Sequence, residues 1–119
     1  MSVPARVLIV DSSRESREIL KTLLERQGAA TLEAAGIRRA TELAEQEQPD
    51  LIVLDEDSDT GPSDSEQPDL EFVASRSAIP IVVLGTAKRH KTRIPTVQLV
   101  SKPYHYGPLI HRIEELLGQ

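Results

Sequence analysis

Arg6-Val-Leu-Ile-Val-Asp11 is the stretch that decides the fold. Four apolar residues, three of them β-branched, run without a polar break and stop at an acid. An uninterrupted run of this kind describes a strand covered on both faces, as in a parallel sheet, rather than the alternation of a half-exposed antiparallel strand. The pattern returns at Leu51-Ile-Val-Leu-Asp55, again ending on an acid. Apolar runs at residues 79–84 and 97–100 give two further strands, and residues 30–34 a weaker one.

Between the strands the spacing turns helical. Ser12 and Glu15 stand three apart, the spacing of a capping box, which predicts a helix starting there. Ile19, Leu20, Leu23 and Leu24 form its apolar face, and Gly28 is a natural stop. Residues 37–48 form a second helix with Ile37, Ala40, Leu43 and Ala44 on one side, ended by Pro49. Residues 58–67 are rich in Ser, Asp and Pro and read as a loop. A short helix fits residues 68–75, and residues 87–96, which include Pro95, leave room for a turn or two at most. Residues 106–117 form the closing helix, with Leu109, Ile110, Ile113, Leu116 and Leu117 apolar. Strands alternating with helices imply an α/β fold: one doubly wound, five-stranded parallel sheet whose functional crevice lies at the carboxyl ends of the strands. No internal repeat or second unit is visible, so residues 1–119 read as a single domain.

Composition narrows the function. The chain of 119 residues carries 14 Lys+Arg against 19 Asp+Glu, a net charge of −5, which argues against direct nucleic-acid binding or an anionic membrane surface. There is no cysteine, hence no disulfide, thiolate metal site or cysteine nucleophile. No apolar run approaches the roughly 20 residues of a membrane helix. Asp11 arrives too early for the apolar core of a signal peptide, so the expectation is a cytoplasmic protein. Aromatic residues make up 3% of the chain, so the core must be aliphatic.

Three strand ends carry the chemistry. Asp11 follows the first strand, Asp55 ends the third, and Lys102 follows the fifth. If the first and third strands are neighbours, two carboxylates converge on one edge, where their mutual repulsion favours a cation. Hard oxygen ligands suit Mg²⁺. A lysine ammonium beside them can neutralise a phosphoryl oxygen. A carboxylate nucleophile with Mg²⁺ and Lys is the equipment for forming an aspartyl-phosphate. His90, His105 and His111 show no metal-ligand spacing.

These residues bring a resemblance with them. Val7-Leu-Ile-Val-Asp11, Pro49-Asp-Leu-Ile-Val-Leu-Asp55, Ile79-Pro-Ile-Val-Val-Leu84 and Ser101-Lys-Pro103 resemble the receiver domains of two-component response regulators over nearly the whole chain. The resemblance implies a flavodoxin-like sheet in the order 2-1-3-4-5, from which the chain departs in a fourth helix shortened to the stretch around Lys88 to Arg93. It implies that Asp55 is the phosphoacceptor, that Asp11 helps hold Mg²⁺, and that Lys102 contacts the phosphoryl group ahead of a cis Lys-Pro bond. Partners would be a histidine kinase or phosphotransfer protein and a downstream protein or fused output domain.

The sequence also departs from the family. Ser12 replaces the second of two adjacent acids, which weakens the metal site, and Asp57 is the candidate to compensate. Gly85 stands where the family has a Ser or Thr, leaving Thr86, one residue later, as the candidate hydroxyl. Leu99 occupies the aromatic switch position. Lys88 to Arg93 carries four positive charges and His90, an altered docking face for an acidic partner. The expectation is a phosphorelay module that is not itself an enzyme and whose phosphorylation alters a protein contact. The alternative is a pseudo-receiver that binds a partner without phosphorylation. A remoter one rests on Asp55-Glu-Asp57, which resembles the Asp-x-Asp of haloacid-dehalogenase-type phosphohydrolases. That family places the motif on its first strand and has a later acidic metal motif that is missing here.

Overall fold

The computed structural model describes residues 4–55, 78–85 and 97–118. In chain order the described elements are β1 (Arg6–Val10), α1 (Arg14–Arg26), β2 (Ala30–Ala34), α2 (Ile37–Glu47), β3 (Leu51–Asp55), β4 (Ile81–Gly85), β5 (Val97–Ser101) and α3 (Tyr106–Leu116). The strands form one sheet in the order β2-β1-β3-β4-β5, and every neighbouring pair is parallel. The expected topology is the observed one. The segments read as a loop (58–67), a short helix (68–75) and a shortened fourth helix (87–96) lie outside the described residues.

The unbroken apolar runs are explained by cover on both faces. Successive residues of a strand point to opposite sides. Leu8, Val10, Ile52, Leu54, Ile81 and Val83 therefore pack on one face with Ala40, Leu43 and Ala44 of α2. Val7, Ile9, Leu51, Val53, Val82 and Leu84 pack on the other with Leu20 and Leu24 of α1 and Leu109, Ile110 and Ile113 of α3. Ile19, expected on the inner face of α1, is 41% exposed; the helix turns Leu20 and Leu24 inward and leaves Ile19 beside that stripe.

Several boundaries differ from expectation by a residue or two, three of them for a visible local reason. The third apolar run begins pairing at Ile81 rather than residue 79. Proline has no N–H to donate, and Pro80 contributes only its carbonyl, which accepts from Ile52 N–H at 3.0 Å. Ile79 is nevertheless buried. Helix α2 ends at Glu47 because Gln48 adopts the left-handed conformation, φ 46°, just before Pro49. Helix α1 is capped by Ser13, not Ser12: the Ser13 Oγ accepts from Ser16 N–H at 3.2 Å. Ser13 N–H is itself taken by Asp11 Oδ1 at 2.8 Å, so a tight turn intervenes and helix geometry begins at Arg14.

Candidate functional site

Register places the chemistry at one edge. Val10 of β1 pairs with Leu54 of β3, so Asp11 and Asp55, one residue further on, lie level with each other. Gly85 pairs with Ser101, and its carbonyl then accepts Lys102 N–H at 3.0 Å, which fixes where the lysine leaves β5. Its side chain reaches back across β4 to β3: Lys102 Nζ lies 2.8 Å from Asp55 Oδ1. The Lys102–Pro103 peptide bond is cis.

Asp11 is held on three sides. Its N–H donates to the Ala34 carbonyl at 3.1 Å. Its own carbonyl accepts from Arg17 Nη1 at 2.6 Å, and its Oδ1 accepts from Ser13 N–H. Its Oδ2 is buried and, among the described residues, meets no donor. The residue is only 3% exposed, and Asp55 is 9% exposed. Burial raises the Asp11 carboxyl above its ordinary value; the Ser13 N–H acts the other way, the Asp55 charge raises it further, and Lys102 and Arg17 partly offset this.

A carboxylate oxygen buried without a donor, next to a second carboxylate, is a donor set for a hard divalent cation. The residues therefore fit Mg²⁺, with Asp11 Oδ2 and the Asp55 carboxylate as ligands. Among the described residues no third acid or histidine joins them. Asp57, the expected third ligand, and Thr86, the expected hydroxyl, lie outside the described residues, as does His90. His105 is an exposed residue that precedes α3 and makes no side-chain cap.

Two residues at this edge escape a reading of the sequence. Tyr104, half-buried just past Pro103, meets Tyr106 edge to face, with ring centroids 5.6 Å apart and planes at 88°. Burial, Tyr106 and the charges of Asp55 and Asp11 push the Tyr104 hydroxyl up to about 12. Its position directly after Lys102-Pro103 was the available signal. Arg17 reads in sequence as an ordinary helix-surface arginine, and only the fold shows it folded back onto Asp11.

No family model matches the chain. It is similar to the KDP operon transcriptional regulatory protein KdpE of Escherichia coli, at 31% identity over 93% of this chain and 50% of that protein. The chain thus spans about half the length of this curated relative. Among solved structures it is similar to a response regulator receiver protein from Sinorhizobium medicae, with a TM-score of 0.75 at 23% identity over 96% of this chain and 94% of that one. It is also similar to a response regulator from Chloroflexus aurantiacus, with a TM-score of 0.73 at 20% identity over 98% and 100% of the two chains.

Proposed function

We propose that this chain, a receiver domain by fold and by sequence similarity, accepts a phosphoryl group on Asp55 and passes the change on as an altered protein contact. The observation that carries the reading is the Lys102 Nζ–Asp55 Oδ1 contact of 2.8 Å beside Asp11 Oδ2, which meets no donor among the described residues. In the reaction an Asp55 carboxylate oxygen bonds to phosphorus. The bond from phosphorus to its donor breaks, and the donor, a histidine nitrogen of a kinase or phosphotransfer protein, leaves with that electron pair. Lys102 holds one Asp55 oxygen in place and then faces a new anionic oxygen. Mg²⁺, held by Asp11 and Asp55 and completed by Asp57, would supply charge neutralisation on the transferring group. Because Ser12 offers a hydroxyl in place of a carboxylate, the site lacks the charged oxygen that an acid at residue 12 would add, which lowers its Mg²⁺ affinity.

The domain is a switch module rather than an enzyme, and its output lies in a downstream protein or a fused domain. No described helix is long and apolar enough to cross a membrane, and a cytoplasmic setting with no direct nucleic-acid contact fits its acidic charge. Ser12 and the Gly85 strand end favour a second reading, a pseudo-receiver that binds a partner unphosphorylated.

One experiment separates the two. With Mg²⁺ and acetyl phosphate the intact chain gains ~80 Da as a labile acyl-phosphate, and Asp55→Asn does not. Absence of that gain at saturating Mg²⁺ would favour the pseudo-receiver.

A further inference from the structure

We infer that Arg17 is a positioning residue for the metal-binding carboxylate: anchored by Glu33 on β2, it clamps the Asp11 carbonyl and so aims Asp11 Oδ2 into the site. The inference rests on the proposed Mg²⁺ site and concerns how that site is built. Arg17 Nη1 donates to the Asp11 carbonyl at 2.6 Å. Its Nε lies 3.4 Å from Glu33 Oε1, and Lys21 Nζ lies 3.5 Å from Glu33 Oε2. The Arg17 side chain is 16% exposed and that of Glu33 34%, so the guanidinium is more shielded than in the pair Arg14–Glu18 on the same helix, whose side chains are 84% and 62% exposed.

Asp11 lies one residue beyond the end of β1, at the margin of the sheet. The Ala34 contact holds its N–H and Ser13 holds one carboxylate oxygen. The carbonyl is the remaining backbone handle, and the guanidinium takes it. Glu33 precedes Ala34 in β2, so one short stretch of that strand anchors both the N–H and, through Arg17, the carbonyl of Asp11.

Two effects of Arg17 on a cation oppose each other. Its positive charge repels the metal, so electrostatics alone predicts tighter Mg²⁺ binding when it is removed. Loss of the clamp frees the carboxylate to turn, which weakens binding. Outer-shell groups that orient ligands typically change metal affinity by 10–100-fold. The inference is that positioning wins.

Mg²⁺ titration of the full chain, followed by calorimetry, decides the sign. Arg17→Ala should raise the Mg²⁺ Kd by about tenfold. Glu33→Gln, which leaves the guanidinium charge in place, should raise it by a smaller factor. An unchanged or lower Kd in Arg17→Ala overturns the inference, whatever happens to thermal stability. Amide hydrogen exchange without metal gives an independent readout. The Ser13 amide should exchange faster in Arg17→Ala while the β3 amides keep their protection; equal protection at Ser13 also overturns it. If the native chain bound no Mg²⁺ at all, the metal site itself would fall, and the exchange experiment would still decide whether Arg17 clamps Asp11.

Discussion

A carboxylate buried with one oxygen unpaired destabilises the fold that holds it until a cation arrives. Burial raises the Asp11 carboxyl above its ordinary value. The folded chain therefore holds this proton more tightly than the unfolded chain does. Stability from this group is present below the unfolded value of 3.8 and is lost as pH rises through the folded value. At neutral pH the apo domain carries that cost. An amide is cheaper to bury unpaired than a carboxylate. Asp11→Asn should therefore raise neutral-pH stability by about 1 kcal/mol, a typical gain when a functional strain is removed, while abolishing Mg²⁺ binding; urea unfolding and metal titration check the two halves. Ser12→Asp should act in the opposite sense, lowering the Mg²⁺ Kd by restoring a charged oxygen ligand. An unchanged Kd would mean residue 12 does not face the metal.

At the scale of elements, the apolar runs told their story directly, because strands covered on both faces leave no room for polar residues. Asp11, Asp55 and Lys102 were legible for a related reason: an ion at the end of such a run stands out against it. The ends of elements were harder to read. Ser12 and Ser13 are chemically equivalent, and only the turn closed by Asp11 Oδ1 on Ser13 N–H makes the second one the cap. Ser13→Ala should cost about 1 kcal/mol in thermal or urea unfolding, the usual loss for a helix cap. Pro80 likewise delays β4 although Ile79 is buried. Arg17 was illegible because its partner Glu33 is sixteen residues away on a strand whose register no local pattern reveals.

For the whole molecule, two clusters of described aliphatic residues cover the two faces of one sheet, and the described aromatic residues stand outside their buried interiors. The described ones, Tyr104 and Tyr106, pack at the border of the core beside the site. The folded chain holds the Tyr104 proton to about 12 against an ordinary 10.0. Its contribution to stability is thus present below 10.0 and lost as pH rises toward 12. Tyr104→Phe should flatten the fall of the urea midpoint across that alkaline interval; an unaltered slope would assign it to other groups. The chain contains two tyrosines and no tryptophan. Under excitation at wavelengths that its one phenylalanine does not absorb, its near-ultraviolet emission therefore originates at positions 104 and 106, close in sequence to Lys102. The folded domain carries its own optical probe, without a dye or an added label, at the edge of the sheet where charge would arrive.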